Sequence, residues 1–141
     1  MRQLVLACCL LLPISHVAAD ILVKNATVRQ PLPGKTVSAG YFSIENTKAV
    51  ANALVKVESP WFGHIELHQH QMQNGMMQMV KMSRIDIGAE QIVHLQPGGL
   101  HLMLFKPTQT LSLTDEVPLL LYFADGSTLE VKASVTQIPT R

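Results

Sequence analysis

The chain is 141 residues long, enough for one ordinary domain, with 11 Lys+Arg against 10 Asp+Glu and only 15% charged residues. So sparse and balanced a charge excludes the basic footprint needed for nucleic acid and the polybasic segment that binds a membrane surface. Its 7 Met and 6 His are unevenly placed: apart from Met1 and His16, all of them fall between His64 and Met103.

The first segment, residues 1–19, reads as a cleaved export signal. Arg2 supplies a basic start, Leu4 to Ile14 an apolar stretch, and Val17-Ala18-Ala19 the small residues of a cleavage site before Asp20. The apolar run is shorter than the about 20 residues of a permanent membrane helix. The expected product is one soluble exported domain over residues 20–141 with no integral membrane segment. Cys8 and Cys9 lie within the leader and depart with it. A lipid anchor on either is disfavoured, because only a handful of apolar residues precede them. A domain without thiols is excluded from thiol redox catalysis, thiolate zinc sites, iron–sulfur clusters and blue-copper electron transfer.

From Asp20 onward the sequence reads as short β-prone runs with no sustained helical period. Strands are expected at Ile21 to Val28, Val37 to Glu45, Ala53 to Glu58, His64 to Gln71, Met76 to Met82, Gln91 to Leu95, Leu100 to Phe105, Pro118 to Phe123 and Thr128 to Val135. Pro31-Leu32-Pro33-Gly34, Asn74-Gly75, Pro97-Gly98-Gly99 and Asp125-Gly126 mark turns between them. Many short strands at this spacing predict an all-β fold, an antiparallel sandwich or Greek-key barrel, in a single domain.

Asn74-Gly75 is the strongest local signal, because a type I′ hairpin turn needs positive φ at both central positions. A two-residue loop there pairs Gln73 with Met76, Met72 with Met77, His70 with Met79 and His68 with Lys81. Alternation then puts His68, His70, Met72, Met77 and Met79 on one face of the hairpin, and Ile65, Leu67 and Val80 on the other. Met76 and Met82 share the apolar face and are expected to pack. After Pro97-Gly98-Gly99, Leu100, Leu102 and Leu104 alternate with His101, Met103 and Phe105, so an imidazole and a thioether leave the same side of one strand. Such donors suit copper, and thioethers favour the soft cuprous ion. His94 reads as a hydrogen-bonded structural histidine, His64 as a surface or supporting residue, and Trp61-Phe62 as a hydrophobic plug.

The spacing His68-x10-Met79-x21-His101-x-Met103 resembles the ligand motif of the periplasmic copper chaperones of the PCuAC family. Val28-Arg29, Ala39-Gly40-Tyr41-Phe42 leading to Glu45-Asn46, Glu66-Leu67-His68, Pro97 through Leu104 and Leu119 through Phe123 are similar to that family's phrases. The resemblance runs from about Ile21 to Val135. It implies a cupredoxin-like β-sandwich that binds one Cu(I) through His68, Met79, His101 and Met103 and passes it on. The implied acceptor is the binuclear copper site of cytochrome c oxidase, reached alongside a Sco-type protein. Some members carry a His- and Met-rich tail; this sequence ends Ile138-Pro139-Thr140-Arg141 without one, which puts a tail-borne second copper site in doubt. His70, Met72, Met76 and Met77 stand beside the motif as further soft groups, and Cu(II) binding at His68, His70 and His101 is left open.

The competing classes are an enzyme and a copper store or resistance protein without a dedicated acceptor. A non-enzyme is expected: the residue after the leader is Asp20 rather than the His of copper monooxygenases, no Gly-x-Ser-x-Gly elbow is present, and two imidazoles with two thioethers saturate a cuprous ion.

Overall fold

The computed structural model describes residues 20–138; the expected leader, residues 1–19, lies outside them. Ten strands are formed: β1 (Ile21–Arg29), β2 (Val37–Asn46), β3 (Asn52–Glu58), β4 (Phe62–Gln73), β5 (Met76–Met82), β6 (Ile85–Ile87), β7 (Ile92–Leu95), β8 (Leu100–Pro107), β9 (Glu116–Phe123) and β10 (Thr128–Thr136). Nine of them match the expected runs within two residues at each end. β6 was not expected. Its three residues place Ile85 and Ile87 inward and Asp86 outward, too short an alternation to distinguish from a turn in sequence.

The strands join in the order β5-β4-β8-β7-β2-β1-β10-β9-β3-β6, with an added β8–β2 pairing. One hydrophobic core draws on both halves of this order. Phe42, Ile44, Leu67, Leu102 and Leu104 come from one half, and Leu54, Val57, Leu119, Leu121 and Phe123 from the other. The sheet therefore folds back on itself as the expected cupredoxin-like sandwich. It departs from a purely antiparallel one at the Leu95–Leu100 contact between β7 and β8, and over a longer stretch where β1 runs parallel to β10, Thr27 beside Ser134 and Arg29 beside Thr136. Parallel pairing over such a stretch needs a long crossover. Here nearly the whole domain is that crossover, which ties the two ends of the chain together.

The β4–β5 hairpin has the register read from its turn, with Gln73 opposite Met76, His70 opposite Met79 and His68 opposite Lys81. Asn74 and Gly75 take φ values of 50° and 76°, the double positive φ that fixes this loop at two residues. The expectation that Met76 packs is corrected. It lies on the apolar side as predicted, but at the hairpin tip, beyond the core, and is 63% exposed. Met82, at the hairpin's base opposite Leu67, does pack against the core. Phe62 is buried and Trp61 packs beside it, the expected plug.

Candidate metal centre

The hairpin alone gathers soft side chains on one face, and the fold adds a second set by laying β8 along the other side of β4. In that pairing His68 stands opposite His101, Glu66 opposite Met103 and Ile65 opposite Leu104. Strand parity then places Glu66, His68, His70 and Met72 of β4, His101 and Met103 of β8, and Met77, Met79 and Lys81 of β5 on the same outer face. Leu67, Leu102 and Leu104 turn inward and are buried. The inward residues hold the three strands flat against the core, and the outward residues are presented on that platform.

Among the four motif residues, His68 and His101 are brought together, with ring centroids 5.8 Å apart. Met79 is diagonal to His68 on the β5 side, directly opposite His70, and Met103 is diagonal to His68 on the β8 side. His70 also reaches the site, its ring edge-on to His101 at 5.0 Å. Burial is graded across this face. His101 is 3% exposed, Met103 partly buried and Met79 50% exposed. The arrangement has a closed imidazole base and an open thioether wall.

Hydrogen bonds assign the imidazole tautomers. His101 Nδ1 lies 3.0 Å from the Gly99 carbonyl. A carbonyl only accepts, so Nδ1 carries the proton and Nε2 keeps its lone pair. His68 Nε2 lies 2.8 Å from Glu66 Oε2, so that nitrogen donates to the carboxylate and Nδ1 holds the lone pair. His68 Nδ1 is buried and has no hydrogen-bond partner. An orphaned lone pair in such a place is costly, and a metal ion is a partner that removes the cost.

Sequence reasoning did not assign a role to Glu66. Its carboxylate accepts from Lys81 Nζ at 2.8 Å and from His68 at 2.8 Å, with His64 Nε2 at 4.0 Å. Lys81 first and His68 second hold its pKa down to about 2. The signal was present in Glu66-x-His68, since residues two apart on a strand share a face. His64 stacks on Phe105 with ring centroids 4.5 Å apart. His94 Nδ1 pairs with Ser43 Oγ at 2.8 Å, away from the outer-face cluster, as expected of a structural histidine.

Among the described residues no three His, Cys, Asp or Glu side chains converge as a metal cage. Thioether sulfur and neutral imidazole are the donors this face presents, and that combination suits a soft ion. Burial pushes the His101 pKa below its ordinary 6.5, with the neighbouring His70 and His68 adding to the effect. The unfolded chain then takes up this proton at higher pH than the folded one, so stability rises with pH in that interval. Thermal melts of the metal-free protein are expected to lose stability as pH falls below about 6.5. A melting temperature that climbs between pH 7 and pH 6 would contradict the neutral, buried imidazole.

The family described as "Putative lipoprotein LpqE-like" matches residues 21–135. Uncharacterized protein RP573 of Rickettsia prowazekii is 31% identical over 132 residues, covering 86% of this chain and 73% of that protein. Among solved structures, a copper-bound PCuAC domain from PmoF2 superposes with a TM-score of 0.73 at 20% identity, over 87% of this chain and 97% of the other. The solution structure of Cu(I)-bound DR1885 from Deinococcus radiodurans gives 0.67 at 28% identity, over 79% and 75%. The resemblance to PCuAC domains is borne out, and with it the cupredoxin-like fold.

Proposed function

The chain belongs to the LpqE-like family, and from that membership and the donors on its outer face we propose that it is an exported copper chaperone. It binds one Cu(I) in an inner site formed by His101 Nε2, His68 Nδ1 and the thioethers of Met79 and Met103. The observation that carries this reading is the His68–His101 pair across β4 and β8, with an unsatisfied buried nitrogen on His68 and methionines diagonal to it on both sides. Cu(I)-bound DR1885, of the same fold, supports the choice of metal and oxidation state.

Delivery is favoured over storage by the graded burial. A half-exposed Met79 on a strand with no outer neighbour leaves the cuprous ion open to an incoming ligand, so donors can be exchanged one at a time. The proposed acceptor is the binuclear copper site of cytochrome c oxidase, with a Sco-type protein as co-worker. Residues 1–19 act as the export signal and the cargo meets the protein in the periplasm. The reading assigns it no catalytic step.

The test is an anaerobic Cu(I) titration against a chromogenic chelator, using a chain that begins at Asp20. That chain holds the core residues found among the described residues and lacks the thiols of Cys8 and Cys9. The Met79→Ala/Met103→Ala variant is expected to lose its tightest equivalent, weakening by more than about 100-fold, because deleting ligands costs more than deleting an outer partner. Equal affinity in the two proteins removes these thioethers from the site.

A further inference from the structure

Beyond the inner quartet, the same face of the hairpin carries donors that neither packing nor the four-residue motif uses. Met72 stands directly opposite Met77, and one step inward His70 stands opposite Met79. Directly opposed side chains on an antiparallel pair have Cβ atoms about 4.5–5.5 Å apart, and same-face neighbours along a strand are about 7 Å apart. Met72 and Met77 are therefore direct neighbours, and His70 is the next residue on the same face of β4. No core lies beneath the methionine pair: Met72 is 68% exposed and Met77 59%.

The composition of the hairpin also points to a ligand. Residues 67–80 contain no charged side chain, so the edge strand β5 carries charge at Lys81 near its base and none toward the hairpin tip. Without a carboxylate there is nothing to recruit a hard cation, whereas one imidazole and two thioethers suit a soft one. Met76, equally exposed, is set apart by parity on the other face.

We propose that His70, Met72 and Met77 form a second, outer Cu(I) site at the hairpin tip, which receives the ion before it reaches the inner site. His70 connects the two, since its ring touches His101 at 5.0 Å and its strand partner is Met79. The outer site binds more weakly, having three donors in place of four and lying in solvent. This proposal rests on the inner site only for the direction of transfer. The binding of a second ion stands by itself.

The experiment is the anaerobic Cu(I) titration of the chain beginning at Asp20, extended to high chelator-buffered copper, for wild type, Met72→Leu/Met77→Leu and Met79→Leu/Met103→Leu. Leucine keeps the apolar volume and cannot ligate. Wild type is expected to take two equivalents, the second weaker by tenfold or more. The Met72/Met77 variant retains only the tight equivalent and loads it several-fold more slowly in stopped flow. The Met79/Met103 variant retains only the weak one. A wild type that saturates at one equivalent, or a Met72/Met77 variant that still takes two, overturns the outer site. The inner reading fails separately, if the Met79/Met103 variant keeps the tight equivalent.

Discussion

Glu66→Gln is expected to weaken Cu(I) binding about ten- to hundredfold while leaving the sheet intact, the usual penalty for removing an outer hydrogen-bond partner of a metal-binding histidine. The carboxylate holds His68 by Nε2 and so selects the tautomer whose lone pair is on the buried Nδ1. It is itself held by Lys81. A neutral amide can still accept from the imidazole, but the charge-assisted bond is lost and with it the increase in ligand basicity. Two readouts separate this positioning role from a merely structural one. Long-range 15N–1H spectra should show the His68 proton on Nε2 in wild type and a mixture of tautomers in the variant. The second readout is acid stability. Glu66 has a pKa of about 2 against an ordinary 4.5, so the unfolded chain binds that proton first and stability falls as pH drops from about 4.5 toward 2. Glu66→Gln should flatten that part of the curve. Unchanged copper affinity together with an unchanged tautomer would remove Glu66 from the site.

The parts of the site legible in sequence were those decided by local physics. Asn74-Gly75 fixes a two-residue turn, the turn fixes the register, and the register fixes which side chains of β4 and β5 share a face, so the pairs from Gln73–Met76 to His68–Lys81 follow from one dipeptide. The alternation Leu100-His101-Leu102-Met103-Leu104 likewise sorts β8 into a leucine side and a side that bears His101 and Met103. That β8 lies beside β4, with His68 against His101, is a pairing between segments some thirty residues apart, and no local pattern specifies it. The family spacing supplied what periodicity did not. The same gap explains Glu66, whose partners Lys81 and His68 become visible as a cluster only once the hairpin is closed. Met76 shows the converse limit. Its parity was right, but parity does not tell how far along a strand the core extends.

Leu102→Ala is expected to cost about 2–5 kcal/mol, the range for truncating a fully buried leucine, and to lower the melting temperature of the metal-free protein by about 10 °C or more. Leu102 is completely buried, opposite Leu67 of β4 on one side and Gly40 of β2 on the other. A methyl in its place leaves a void that three strands must close. Met79→Leu, on the exposed edge strand, should instead melt within about 0.5 kcal/mol of wild type. The contrast follows from the division of β8 into two faces. The inward leucines carry the packing, and the outward His101 and Met103 are the proposed ligands, so melting temperature and copper affinity should respond to different substitutions. Copper then gives an internal control. A ligand that binds only the folded state at about 100 times its Kd adds about 2.7 kcal/mol. Cu(I) should therefore raise the melting temperature of Leu102→Ala as it does that of wild type, whereas Met79→Leu should gain less. If Leu102→Ala melts within a few degrees of wild type, β8 is not anchored through Leu102; if it melts low and gains nothing from Cu(I), the two faces of β8 are not independent.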